Sequence, residues 1–241
     1  MLEAVFISDL HLHPNEELIY NRFKSFIRWA AINTRTVYIL GDFFHAWAGD
    51  DTLEEWSIAV AAALKSLVNQ GINVFFMHGN RDFLVGRQFA AKAGMTLLKE
   101  PTIITLVDKP VLLVHGDRYC IYDKAHQRFR KLTRNDLFVT LFSFIPRRIR
   151  QKMVNRVRQH SQNNRTKSTA MMAIEPKAML SHMQQHQVKT LIHGHTHQPG
   201  LVKHTFQGDQ FEQYVLSDWD DKPQILCYHK AKGFYFNQIL L

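Results

Sequence analysis

The chain has 241 residues, 46% of them hydrophobic and 21% charged, which excludes disorder, collagen and coiled coil and leaves room for one α/β domain with an insertion or for two small domains. The formal charge of +9 is uneven: residues 118–168 hold 14 basic side chains against 2 acidic ones, so the excess is a local feature suited to an anionic partner. Two cysteines, Cys120 and Cys227, exclude a disulfide framework and fit reduced thiols in a cytosolic compartment.

The N-terminal twelve residues, MLEAVFISDLHL, lack a basic leader region and reach a charge at Asp9, so they predict a first strand over 4–7 rather than a signal peptide. Leu18, Phe23, Phe26, Ile27 and Ala30 recur near one face and predict a helix over 16–31. A second strand follows at 37–40. Trp56, Val60, Leu64 and Leu67 predict a helix over 53–69, stopped by Gly71. Residues 74–77 and 111–114 are further apolar strands. Alternating strand and helix argues for α/β layers.

The basic segment reads differently. Residues 124–136 and 147–160 have helical composition. Between them 137–145 (LFVTLFSFI) is almost wholly apolar and ends at Pro146. It is far short of the roughly 20 residues a membrane span needs. Arg147, Arg148, Arg150 and Lys152 follow at once, an apolar wedge with a basic flank, which is the profile of an interfacial element. Residues 123–168 are therefore expected to form a helical insertion in a single domain, 1–241. A fifth strand is expected at 190–192. Residues 213–217, 224–229 and 233–239 are strand-like, with turns at 220–223 and 230–233, and suggest a mixed sheet closed by a meander. No internal repeat is visible.

The strand ends share one feature. Asp9 and His11 follow the first strand, Gly41-Asp42 the second, Gly79-Asn80 the third, His115-Gly116-Asp117 the fourth and Gly194-His195-Thr196-His197 the fifth. Ligands of open α/β sheets bind at carboxyl ends of strands. Taken singly, Asp-x-His, Gly-Asp and Gly-Asn are ordinary turns. Five such polar groups, each directly after an apolar strand, are poor core material. Two carboxylates, one amide and four imidazoles form a mixed O/N donor set that suits Mn²⁺, Fe²⁺, Co²⁺ or Zn²⁺ and lacks the thiolate of a structural zinc site. Seven donors exceed the need of one tetrahedral ion and suffice for two if a carboxylate bridges, with Asp42 the candidate. Such a pair activates water and clamps the oxygens of an in-line displacement at phosphorus.

The order Asp9-x-His11, Gly41-Asp42, Gly79-Asn80-x-Asp82, His115 and Gly194-His195-x-His197 resembles the calcineurin-like metallophosphoesterases. The resemblance implies an α/β fold of four layers, two mixed β-sheets packed as a sandwich and flanked by helices, with a helical lid insertion. It implies Asp9, His11, Asp42 and His197 around one metal, with Asp42, Asn80, His115 and His195 around the other. One departure narrows the reading. Most members carry a histidine between Asn and Asp that assists the leaving group, and here Arg81 stands there. Arginine cannot act as a general acid, although it can grip phosphate bidentately. A site without that acid favours a group that leaves as an anion, such as a phosphate monoester released from a diphosphate.

The longer blocks 6–12, 38–44, 78–84 and 191–197 are similar to the branch of that family that cleaves UDP-2,3-diacylglucosamine to UMP and 2,3-diacylglucosamine 1-phosphate in bacterial lipid A biosynthesis. This similarity implies two Mn²⁺ ions and a metal-activated hydroxide attacking the α-phosphorus. It implies Asp42, Asn80, Arg81 and His195 as catalytic residues, and substrate contacts from Asn80, Arg81, Asp123, Ser161, Asn164, Lys167 and His195. It also implies peripheral attachment to the anionic cytoplasmic face of a Gram-negative inner membrane, with no nucleic-acid partner. Leu137, Phe138, Leu141, Phe142, Phe144 and Ile145 are expected to line a lipid slot or dip into the membrane. Arg147, Arg148, Arg150, Lys152, Arg156 and Arg158 are expected to meet headgroups. Two competing readings are a nuclease or phosphodiesterase, disfavoured by the apolar 137–145 run, and a non-catalytic scaffold, disfavoured because no donor is missing. His13, His45, His78 and His193 read as packing or supporting residues, and His126, His160, His182, His186, His204 and His229 as surface or packing residues. Asp82 is expected to orient a ligand and Asp117 to cap a turn.

Overall fold

A computed structural model describes residues 1–163 and 173–238. In chain order these hold β1 (Ala4–Ile7), α1 (Glu17–Asn33), β2 (Thr36–Leu40), α2 (Glu55–Asn69), β3 (Asn73–Met77), α3 (Arg87–Ala93), β4 (Thr96–Leu98), β5 (Thr102–Leu106), β6 (Lys109–Leu113), α4 (Lys124–Thr133), α5 (Asp136–Ser143), α6 (Arg147–Asn163), α7 (Pro176–Gln185), β7 (Thr190–His193), β8 (Gly200–Phe206), β9 (Asp209–Val215), β10 (Gln224–His229) and β11 (Gly233–Gln238). The strands form two mixed sheets. One has the order β11-β10-β1-β2-β3-β4 and the other β5-β6-β7-β9-β8. β1 to β4 run parallel, as do β6, β7 and β9.

Period-two alternation explains the layering. In β1, Val5 and Ile7 turn to α1 and α2, where they meet Phe23, Phe26, Val60 and Leu64. Ala4 and Phe6 turn the other way, to Val111, Leu113, Ile192 and Tyr214 of the second sheet. The far face of that sheet packs Leu112 and Leu191 on Met179, Leu180 and Met183 of α7. Both faces of both sheets are thus covered, in the order helix, sheet, sheet, helix. Phe6, Tyr38 and Phe75 stack across β1, β2 and β3 at 5.0 and 5.1 Å.

The C-terminal strands do not make the expected meander. β10 and β11 pair antiparallel and extend the first sheet from β1, whereas β9 lies parallel to β7 inside the second. The reason is visible in β9. Phe211 is buried towards α7 and Tyr214 between the sheets, so both faces are apolar and the strand belongs in a sheet interior.

The insertion between β6 and β7 is helical over its described part, α4 to α6. Its apolar run splits into two stripes along α5 and the two residues after it. Phe138, Phe142 and Ile145 pack on the core of the first helical layer. Leu137, Leu141 and Phe144 are 67%, 59% and 79% exposed. Phe142 is therefore a core residue and not part of a membrane wedge. Arg150 also departs from expectation. It is 2% exposed, paired with Asp51 and donating to the Ser143 carbonyl at 2.6 Å, so it bolts α6 to the loop after β2 and cannot reach a headgroup. Phe142→Ala should lower stability by about 3 kcal/mol through the cavity it leaves, whereas Phe144→Ala should change it by less than about 0.5 kcal/mol. Urea unfolding of both variants checks this, and equal losses would contradict the division of the helix into an inward and an outward stripe.

Candidate active site

The carboxyl ends of β1, β2 and β3 in one sheet and of β6 and β7 in the other converge at one end of the sandwich. The five strand ends thus come from two sheets, not from a single edge. Asp9, His11, Asp42, His195 and His197 all have left-handed backbone, with φ of 55°, 53°, 51°, 69° and 55°. Such residues cost about 1 kcal/mol or more each and persist only where surrounding structure over-determines them. Here neighbouring loops do so: Asp9 N–H donates to Gly41 O at 3.0 Å, His11 N–H to Asp42 O at 3.0 Å and Gly194 N–H to His115 O at 2.9 Å. Two glycines allow the approach. A Cβ on Gly79 would strike Asp42, and one on Gly194 would strike Ser8 and Asp9, so no other residue fits there.

Side chains then gather in two groups. Asp9, His11 and His197 bring one donor atom each within 4.8 Å of one another, and so do Asp42, His115 and His195. Asp42 stands between them, with Oδ2 3.5 Å from His11 Nε2 and Oδ1 3.7 Å from His115 Nε2. Asn80 Oδ1 lies 3.1 Å from His115 Nε2. All seven donors read from the sequence therefore meet. Asp9 Oδ1 and His11 Nε2 are buried without a hydrogen-bond partner, an arrangement that leaves room for a cation to satisfy them.

The electrostatics point the same way. Burial opposes charge on Asp9, but His197 and His115 outweigh it and hold Asp9 down at about 2. Burial likewise opposes charge on Asp42, and His115, His11 and Arg81 outweigh it. Burial works against an imidazolium at His115, yet the carboxylates of Asp42, Asp117, Asp9 and Glu100 overcome it and raise His115 to about 9. Burial and the charge of His115 lower His195 to about 3. The site thus pulls a positive charge into its centre. An O/N donor set of this kind fits divalent first-row metals.

Around these groups lie the residues that hold them. Asp82 accepts from the backbone N–H of Gly79 at 2.7 Å and Phe43 at 2.8 Å, tying together the loops of Asn80 and Asp42 as expected of it. Burial, with Asp42 nearby, raises Asp82 to about 6. Asp117 does more than cap a turn. It meets His126 Nε2 at 3.3 Å and Arg130 Nε at 3.1 Å, and His126 packs against the ring of His195 at 5.5 Å. His126, expected as a surface or packing residue, is thus a wall of the site. Arg130 also pairs with Glu100 at 2.7 Å, and Arg134 donates to Gly79 O and His78 O, both at 2.9 Å. Helix α4 is clamped to the strand ends by these contacts.

A cleft of about 740 Å³ opens onto the donors, between Asn80, Arg81, His195 and His197 on the core and Asp123, His126, Phe129 and Arg158 on the insertion. Arg81 Nε lies 3.3 Å from Asp42 Oδ2. Arg158 is 8% exposed and donates to Asn80 O at 3.1 Å, so it faces the cleft and not a membrane. No motif spacing marks Arg158 or His126, and only their helical register could have aimed them inward. Asp123 lines the cleft and accepts from His126 N–H at 3.0 Å, capping α4. Ser161 falls in the last turn of α6, where the backbone alone is described, and Asn164 and Lys167 lie outside the described residues.

Residues 3–199 match the family model described as calcineurin-like phosphoesterase. The chain is 40% identical over 220 residues to the UDP-2,3-diacylglucosamine hydrolase of Pseudomonas paraeruginosa, covering 91% of this chain and 92% of that protein. It is 41% identical over 219 residues to the protein of the same name from Serratia proteamaculans, covering 90% and 91%. With that of Azotobacter vinelandii the identity is 40% over 226 residues, covering 93% and 94%.

His115 is raised to about 9, so a divalent ion bound through its ring would displace a proton, and binding would be coupled to proton release. Affinity for Mn²⁺ should rise about tenfold per pH unit across the neutral range and level off above the His115 pKa. Calorimetric titration in buffers of different ionisation enthalpy measures the protons released. A pH-independent affinity without proton release would contradict the charge state assigned to His115.

Proposed function

The chain belongs to the calcineurin-like phosphoesterases, and from that premise we propose that it hydrolyses UDP-2,3-diacylglucosamine at the pyrophosphate bond to UMP and 2,3-diacylglucosamine 1-phosphate, a step of lipid A biosynthesis. Relatives of that name match it at about 40% identity over some nine tenths of both chains. The observation that carries the reading is a single cleft in which Asp42 joins two donor clusters while Arg81 and Arg158 stand beside it.

In this reading Asp9, His11, Asp42 and His197 hold one divalent ion, and Asp42, Asn80, His115 and His195 hold a second. Mn²⁺ suits a donor set of oxygen and imidazole nitrogen without thiolate. When bound, such a pair supplies an activated water and neutralises charge developing on phosphorus. The protein's own groups do the rest. Arg81 and Arg158 bring two guanidinium groups to the diphosphate and can grip its oxygens in pairs. Burial lowers Arg158 only to about 10, so it stays charged at neutral pH. Neither arginine can hand a proton to the leaving group, which must depart as an anion. UMP and the sugar 1-phosphate both meet that condition, so it selects the pyrophosphate bond, and the attack is placed on the α-phosphorus, next to uridine, as the family resemblance implies. Phe129 and Val157 supply apolar wall to the same cleft.

The outer stripe of the insertion supports a peripheral membrane contact. Leu137, Leu141, Phe144, Ile149 and Met153 are 67%, 59%, 79%, 52% and 41% exposed, and each gains roughly 1 kcal/mol on partial burial among acyl chains. Arg147, Arg148, Lys152 and Arg156 are exposed beside them, each worth about 1 kcal/mol near an anionic leaflet. Among the described residues no helix is long and apolar enough to cross a membrane. The proposed location is the cytoplasmic face of a Gram-negative inner membrane.

Hydrolysis of UDP-2,3-diacylglucosamine in ¹⁸O-water with added Mn²⁺ should place the label in UMP, and Asp42→Ala should abolish turnover while Asp42 links both clusters. Label in the sugar phosphate, or full activity of the variant, would overturn the reading. Leu141→Ser/Phe144→Ser should lose most of the binding to phosphatidylglycerol vesicles in sedimentation while keeping its unfolding midpoint. Unchanged vesicle binding would remove this stripe from the membrane contact.

A further inference from the structure

The loop after β9 carries Asp218 to the edge of the site. Asp218 Oδ2 lies 3.3 Å from His197 Nδ1. On its other side the same ring presents Nε2 to Asp9 Oδ1 at 3.4 Å, with the His11 ring 5.3 Å away. We propose that Asp218 is a positioning residue for His197, holding the ring from its Nδ1 side so that Nε2 is turned to the point shared with Asp9 and His11. The inference rests on the metal-centre reading above and deepens it.

Asp218 faces one ring nitrogen and can accept from its N–H, so the opposite nitrogen, Nε2, is the one turned to Asp9 Oδ1 and His11 Nε2, two buried atoms without a hydrogen bond. A carboxylate behind a ligating imidazole fixes its orientation and raises its basicity. Asp218 is itself held from behind. Arg22 of α1 is 7% exposed and donates to the carbonyls of Trp219 at 2.5 Å, of Asp220, and of Asp221 at 3.0 Å. One guanidinium thus occupies three successive carbonyls of a segment without strand partners. Trp219, 1% exposed, packs edge-on against Phe26 of the same helix at 5.8 Å. The loop cannot slide along the sheet edge, and Asp218 is presented at a fixed place.

Asp218 and His197 are 29% and 32% exposed, so truncating the carboxylate opens no core cavity. The test uses the full chain, Asp218→Ala and Asp218→Asn, with Mn²⁺ affinity read by electron paramagnetic resonance. Asp218→Ala is expected to weaken one of two Mn²⁺ sites about 10–100-fold with an unchanged unfolding midpoint. Asp218→Asn, which keeps an accepting oxygen, should restore most of that affinity. Wild-type Mn²⁺ affinity in Asp218→Ala, or an equal loss in Asp218→Asn, would overturn the role of Asp218. A wild-type chain that binds no Mn²⁺ would overturn the metal-centre reading itself, and this inference with it.

Discussion

The carboxylates of Asp9 and Asp42 are 1% and 2% exposed and lie among imidazoles, so their charge has to be met from within the protein. Water cannot do it, and burying an unmatched carboxylate costs several kcal/mol. In the metal-free protein the proton on His115 meets part of the demand, which is why that histidine is so basic despite full burial. Other features of this end of the molecule follow from bringing those groups together. Five of them accept left-handed backbone, and the loops of β2 and β3 touch so closely that Gly79 can bear no side chain. The closeness that creates the electrostatic problem is also what makes the place selective for a multivalent cation.

This origin explains which parts were legible in the sequence. All seven donors could be read because each follows an apolar strand directly, where a polar side chain has no structural use. β1 and β10 were found with their true ends, since β1 is fully apolar and the apolar centre of β10, Ile225 to Tyr228, lies between two turn signals. β4 was missed because three residues give no period to detect. β8 was missed because it is an edge strand with most of its side chains in water. The supporting shell was illegible for a different reason. Arg158, His126 and Asp218 reach the site from an inserted helix or a far loop, and their roles depend on tertiary register, which leaves no fixed spacing. Arg22, nearly 200 positions before the carbonyls it binds, is the extreme case.

The basic segment shows how one compositional signal can conceal several tasks. A local excess of positive charge was read as a surface for anions, and only part of it is. Arg130 and Arg134 are spent on Glu100, Asp117 and the carbonyls beside Asn80. Arg150 is buried against Asp51. Arg158 turns into the cleft. The exposed basic residues beside the outward apolar stripe are Arg147, Arg148, Lys152 and Arg156. The buried arginines attach the insertion rigidly to the strand ends. The exposed ones lie beside the outward apolar stripe, so the same helices can meet a lipid surface and form the roof of the reaction site.

The substitution at position 81 ties that roof to the chemistry. A histidine there could protonate an alkoxide, and arginine cannot, so the leaving group has to be one whose conjugate acid is already strong. A phosphate monoester satisfies this, its second ionisation lying near pH 6. Arg81 is close enough to disfavour the charge of Arg158, which Asp42 and Asp82 favour, so an added anion between the two guanidiniums is attracted by both. A diphosphate relieves that repulsion at the same moment as it is positioned. Because Arg81 belongs to the core and Arg158 to α6, a diphosphate gripped by both would tie the two sides of the cleft together. A substrate with phosphates but no lipid would relieve the same repulsion yet leave the apolar walls of Phe129 and Val157 unfilled. Selectivity for the lipid-linked nucleotide therefore requires the two parts of the cleft to be filled together.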